Sequence, residues 1–168
     1  MKIFKFLIIF FLFVLNIFAK DLTPQFSLIA SGAVTDLVLK EDKLFVATSA
    51  SSVDIFDINS KEKINSIKVP KIKDFMQDII DSKIYSVDVL ENNILILSQG
   101  QNGGRNIDIY KDGKIENVIE DKDRLFIARA KFLDENHIIY ALLSNQIYLY
   151  DIKNKKILNE TQISQSKF

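Results

Sequence analysis

Residues 125–163 read LFIARAKFLDENHIIYALLSNQIYLYDIKNKKILNETQI. Four apolar-rich runs follow one another here: LFIARAKFL at 125–133, HIIYALL at 137–143, QIYLYDI at 146–152 and KKILNETQI at 155–163. Asp134, Glu135 and Asn136 separate the first pair, and Ser144 and Asn145 the second. Such side chains fold back onto their own backbone and favour turns, so short apolar runs between them predict strands joined by hairpins.

The same order of events occurs twice upstream. Residues 33–69 give AVTDLVL, a polar turn at 40–43, LFVAT, a Ser-rich turn, VDIFDI and KINSIKV. Residues 83–120 give KIYSVDVL, a turn at 91–93, ILILSQ, a Gly-rich loop, NIDIYK, the Asp112-Gly113 turn and KIENVIE. In all three units the third run ends on an aromatic and a polar residue: Phe56-Asp57, Tyr110-Lys111 and Tyr150-Asp151. That ending is a degenerate form of the WD dipeptide of WD40 blades. Tyr110 and Tyr150 lie 40 residues apart, close to the WD40 period of about 40–45. Phe56 and Tyr110 lie 54 apart, so the second unit carries an insertion, at 70–82. An all-β fold is expected: a partial WD40-like β-propeller of about three four-stranded antiparallel blades. The alternative is a generic antiparallel sandwich, and the triple recurrence at one period argues against it.

Inside the insertion, Ile72, Phe75, Met76, Ile79 and Ile80 recur at helical spacing, with Asp74, Asp78 and Asp81 falling on the other side. This spacing predicts a short amphipathic helix over 72–80. It either folds over a gap between blades or presents a docking knob, which makes Phe75 and Met76 candidate partner contacts.

The N-terminus reads as an address. Lys2 and Lys5 precede an unbroken apolar run at 6–15, and Ala19 is the small residue placed for cleavage, although Ile17 is bulky for its position. This is a secretory signal pattern. A retained anchor needs roughly 20 apolar residues, whereas the run from 6 to 19 is shorter and contains Asn16. The expected organisation is a signal peptide at 1–19 and blades at 20–168, with the mature chain in the periplasm and no membrane contact after cleavage. Residues 25–30 alternate Phe26, Leu28 and Ala30 with their neighbours, which predicts a weak edge strand with few partners, broken at Ser31-Gly32.

Composition narrows the function. The whole chain has net charge zero, and loss of Lys2 and Lys5 leaves −2. With no basic field, nucleic acid is not an expected partner. There is no Cys for disulfides or lipid attachment, so a hydrophobic core must supply stability. His137, the only His, sits at a turn without a predicted catalytic partner. No metal or other cofactor is called for. Asp54, Asp57, Asp108 and Asp151 recur near third strands and read as turn caps. A calcium site would have to use such carboxylates, but nothing demands one. Residues 100–105, GQNGGR, join two strands instead of opening a helix, so a hairpin loop is expected in place of a phosphate cradle, with Arg105 a third candidate partner contact. The five Tyr read as strand packing, and the absence of Trp argues against a quinone-dependent propeller enzyme. The expectation is a non-enzymatic chain with protein partners.

The leader, the degenerate blades and residues 71–114, KIKDFMQDIIDSKIYSVDVLENNILILSQGQNGGRNIDIYKDGK, together resemble the NapL family. These are accessory proteins of the periplasmic nitrate reductase system in epsilon-class proteobacteria. The resemblance implies a periplasmic WD40-type propeller whose partners are nitrate reductase components, and which supports maturation or electron delivery without enzyme activity. It carries no functional residue onto a position of this sequence. Size is the departure: propellers have about 4–8 blades and three are read here, so an incomplete ring or truncated frame is expected, with assembly of two chains as the rival. An outer-membrane assembly propeller and a propeller-type hydrolase stand as alternatives. The first is usually anchored through Cys, and the second needs several acidic metal ligands.

Overall fold

The computed structural model describes residues 23–163, and the expected signal peptide at 1–19 lies outside them. The chain builds three four-stranded antiparallel sheets, each from four consecutive strands. Blade 1 holds β1 (Val34–Lys40), β2 (Lys43–Thr48), β3 (Ser52–Asp57) and β4 (Glu62–Lys68). A two-stranded hairpin follows, β5 (Ile72–Lys73) and β6 (Ile79–Ile80). Blade 2 holds β7 (Ile84–Leu90), β8 (Asn93–Gln99), β9 (Arg105–Lys111) and β10 (Lys114–Ile119). Blade 3 holds β11 (Ile127–Phe132), β12 (His137–Leu142), β13 (Gln146–Asp151) and β14 (Lys156–Gln162).

The repeat is visible in individual hydrogen bonds. The amides of Ser49, Gln99 and Leu143 donate to the carbonyls of Ala33, Lys83 and Phe126, one bond at the same place in each blade. Each first strand is irregular after its first residue, between Val34 and Asp36, Ile84 and Ser86, and Ile127 and Arg129. Asp57 and Asp151 end equivalent strands, as their shared aromatic-Asp ending predicts, and both cap the turn that follows. Asp57 accepts from the amides of Asn59 and Ser60, and Asp151 from that of Asn154.

Apolar faces hold the blades together. The side of blade 1 carrying Phe45, Ala47, Val53 and Ile55 packs on the side of blade 2 carrying Ile84, Val87, Ile94 and Ile96. The other side of blade 2, with Leu95, Leu97 and Ile107, packs on Ile127, Ile138, Tyr140, Tyr148 and Tyr150 of blade 3. Strict alternation makes this possible, since successive side chains of a strand point to opposite faces. Each fully buried Ile or Leu contributes roughly 1.5–3 kcal/mol. The Tyr140 and Tyr148 rings stack at 5.1 Å between centroids, in keeping with the packing role read for the tyrosines.

First strands meet across the blade boundaries. Asp36 of β1 accepts from the Val87 amide of β7 at 3.2 Å. Asp88 of β7 accepts from the Phe132 amide at 2.8 Å and pairs with Lys131 of β11 at 3.0 Å. Arg129 of β11 reaches past blade 2 to Asp36 at 3.6 Å, so the arc is tight enough for blades 1 and 3 to touch.

Two expectations are corrected. Residues 72–80 form the β5–β6 hairpin and not a helix, with Ile72 opposite Ile80 and Lys73 opposite Ile79. The Asp74 carboxylate draws in the amides of Met76 and Asp78, and Gln77 takes a left-handed φ of 70°, so the chain reverses instead of coiling. Residues 25–30 form no strand; they run as an irregular segment along blade 1. They do not pair with β14, whose ladder is with β13. Among the described residues no helix is long and apolar enough to cross a membrane.

Candidate partner-binding face

Up-and-down strands send two kinds of connection to opposite ends of each blade. At one end lie the loops between second and third strands together with the links from one blade to the next. The β5–β6 hairpin belongs to this end and has a firm base. The Ser51 carbonyl accepts from the Val69 amide at 2.9 Å, and the Ser51 hydroxyl accepts from the Ser82 amide at 2.7 Å. Ser82 in turn donates to the Gln99 carbonyl at 2.6 Å, tying the link to blade 2. Lys71 and Asp81 pair at 3.0 Å across the foot of the hairpin, and this bond to Lys71 is the main cause that holds the Asp81 carboxyl below its usual range. Ile72 is buried at the foot.

The tip is the reverse. Phe75 is 92% exposed and Met76 67% on the turn, and Ile79 at the start of β6 is 71% exposed, three large apolar side chains in water. The structure therefore brings the candidate contacts Phe75 and Met76 together. Arg105 sits elsewhere, at the start of β9. Its guanidinium stacks 3.8 Å above the Tyr85 ring and donates to the Ile127 carbonyl, bridging blades 2 and 3.

Beside the hairpin foot, a cleft of about 600 Å³ opens between blades 1 and 2, lined among others by Lys68, Val69, Ile72, Asp108, Asn117 and Asp121. Asp108 is the chemically unusual group. Burial drives its carboxyl up from the ordinary 3.8 to about 6, opposed by one hydrogen bond from Asn117 Nδ2 at 2.7 Å. Register makes Asp54 its counterpart in blade 1: Asp54 lies opposite Val46 as Asp108 lies opposite Ile96. Asp54 is fully buried, and burial alone would raise its carboxyl too. Bonds from Lys63 at 2.9 Å, the Ser66 hydroxyl at 2.8 Å and the Ser31 amide at 2.6 Å outweigh that and hold it at about 2. The turn-cap expectation is thus corrected for Asp54 and Asp108, which sit within strands, Asp108 facing the gap between blades 1 and 2 and Asp54 facing residues 23–33 on the other side of blade 1. His137 lies beside the Asp134 carboxylate at 2.9 Å, a local turn contact. Among the described residues no group of three or more His, Cys, Asp or Glu is gathered to hold a metal.

Sequence reasoning missed the inner-strand acceptors Asp36 and Asp88, and gave Asp54 and Asp108 a turn-capping role in place of a mid-strand one. An Asp within an apolar run was the available signal, because strand interiors are depleted in Asp.

No protein-family profile matches this sequence, and no curated protein matches it. Solved structures do. The WD40 β-propeller domain of Doa1 superposes with a TM-score of 0.62 at 15% identity, over 87% of this chain and 45% of that one. The computationally designed Ika4 protein gives 0.56 at 14% identity, over 87% of this chain and 83% of that one. The β-propeller domain of Myceliophteria thermophila Cps50 (Swd1) gives 0.55 at 8% identity, over 79% of this chain and 42% of that one. The three blades are thus an arc of a WD40-type β-propeller, and the chain spans about half or less of the two natural propellers it matches.

Proposed function

We propose that this arc is an exported interaction scaffold that binds a protein partner through the hairpin side of the blades. The observation that carries the reading is the β5–β6 tip: Phe75, Met76 and Ile79 are held out into water by a base bonded to both blades. Ordered apolar side chains at the rim of a rigid sheet array suit a partner that buries them, since aromatic residues and Met are enriched in interface cores. Propeller folds place binding in such loops.

The partner class in this reading is a component of the periplasmic nitrate reductase system, served in maturation or electron delivery. Its support is the resemblance of residues 71–114 together with the leader pattern at 1–19. The test is capture from a periplasmic extract of a nitrate-respiring host, with the wild-type chain and Phe75→Ser/Met76→Ser side by side. The reading expects a nitrate reductase component on the wild-type chain and roughly tenfold less on the variant, the scale of one lost anchor. Capture of that component equally by both chains removes the hairpin from the interface. Capture of other proteins only removes the nitrate reductase assignment.

A further inference from the structure

Strand register allows the blades to be compared position by position on the side that faces the next blade. Phe45, Ala47 and Val53 in blade 1 correspond to Leu95, Leu97 and Ile107 in blade 2 and to Ile139, Ala141 and Ile147 in blade 3. Ile55, Ile109 and Leu149 complete the rows. Blades 1 and 2 bury these residues against their neighbours, Ile109 only partly, with Ala47, Val53, Leu97 and Ile107 wholly covered. Blade 3 has the same apolar set, yet Ile139, Ala141, Ile147 and Leu149 are only half-buried, and Leu143 and Ile163 beside them are exposed. A face patterned for packing is left open.

The opposite side of blade 1 is open in the complementary way. Ile84 and Val87 of blade 2, and Ile127 and Ala130 of blade 3, insert into the preceding blade and are at most 1% exposed. Their register counterparts in blade 1 are Val34 and Leu37, which are 53% and 57% exposed, and Leu39 next to them is 61% exposed. The outer part of this side is occupied by the chain's own residues 23–33, where Ser31 bonds Asp54 and Phe26 lies under Lys61. That leaves the inner stripe, and inner strands are what join one blade to the next inside the arc, β1 to β7 and β7 to β11. Where blades 1 and 2 meet, a cleft opens in the outer part, so the segment takes the place of a cleft and leaves the inner stripe free.

We infer that these two faces are the halves of one interface: blade 3 of one copy packs its Ile139–Ile147 side on the Val34–Leu39 stripe of blade 1 of a second copy. Two such contacts, related by a two-fold axis, close two chains into a six-bladed ring. Six lies within the 4–8 of closed propellers. The contact continues the existing blade-to-blade interface, closure removes both open faces, and a net charge of zero, or −2 without the leader, leaves no strong self-repulsion.

Sedimentation equilibrium of the purified chain, alone and with Leu37→Asp or Ile147→Asp, tests this. The wild-type chain is expected at twice the mass of one copy. Either variant should raise the dissociation constant on the order of 100-fold, the effect of burying an unpaired charge. The mixture is decisive. A Leu37→Asp copy keeps an intact blade 3 and an Ile147→Asp copy an intact blade 1, so together they regain one of the two contacts and should form a dimer, weaker than the wild type, that neither forms alone. That recovery also shows that both variants fold. A wild-type monomer at all concentrations overturns the inference, and is the result expected if further blades of a longer polypeptide cover these faces. A dimer that resists Leu37→Asp but not Ile147→Asp, with no recovery on mixing, marks two blade 3 faces packed on each other and overturns it as well.

Discussion

Asp108→Asn should stabilise this protein at neutral pH. The Asp108 carboxyl lies in the gap between blades 1 and 2, with Asn117 Nδ2 its one hydrogen-bond donor. Burial lifts it from 3.8 to about 6, so the folded state binds its proton more tightly than the unfolded chain does. Stability contributed by this group is therefore greatest below pH 3.8, falls as pH rises toward 6, and stays low above that. At about 1.36 kcal/mol per pH unit the difference amounts to roughly 3 kcal/mol. The amide variant carries no charge and can still accept from Asn117. Urea denaturation of both proteins from pH 4 to pH 8 should show the variant more stable by up to that amount at pH 8, with the gap closing toward pH 4. The Asp54 carboxyl, held at about 2, titrates below this window. A gap that does not change with pH, or a variant that is less stable at pH 8, would refute the assignment of a buried, poorly compensated charge.

Asp54→Ala should act oppositely. Its folded-state carboxyl lies below the unfolded value, so its stabilisation is present above pH 3.8 and lost as pH falls toward 2; the variant should lose about 2 kcal/mol at pH 7 in urea melts and expose residues 25–31 to protease. Gly104→Ala should cost about 2 kcal/mol or more, because its Cβ would stand 2.2 Å from the Asp121 carbonyl oxygen; thermal melts measure it. Phe75→Ser/Met76→Ser should change stability by less than about 0.5 kcal/mol, since both side chains are in water, so a lower melting temperature would show a packing role for the tip.

The blades were legible because each strand carries its own signal. Alternating Val, Ile and Tyr marks the runs, and residues such as Asp112-Gly113 and Ser144-Asn145 mark their ends. The hairpin was not. Ile72 and Ile80 are cross-strand partners, but with Phe75, Met76 and Ile79 between them the spacing imitates a helix face. The deciding interaction is the bond set of Asp74, which depends on where a single side chain turns. The two kinds of Asp also looked alike in sequence. Asp57 and Asp151 are followed by turn residues and cap them, whereas Asp54 and Asp108 lie inside apolar runs and take their character from partners 23 and 9 residues away, Ser31 and Asn117. The spacing of Phe75 and Met76 fits either a cover over a blade gap or an exposed knob, and the engagement of Arg105 with Tyr85 and Ile127 belongs to blade packing that no local pattern encodes.

Three blades in one register is the claim on which every equivalence above depends, and amide hydrogen exchange tests it at single residues. The amides of Ser49, Gln99 and Leu143 make the same bond in blades 1, 2 and 3, to Ala33, Lys83 and Phe126. All three should exchange slowly, as should the β3 amides, while residues 25–30, which have no strand ladder, exchange within the dead time of the measurement. If Leu143 or Gln99 exchanged as fast as residues 25–30, or if residues 25–30 were as protected as β3, the register and the arc built on it would be wrong.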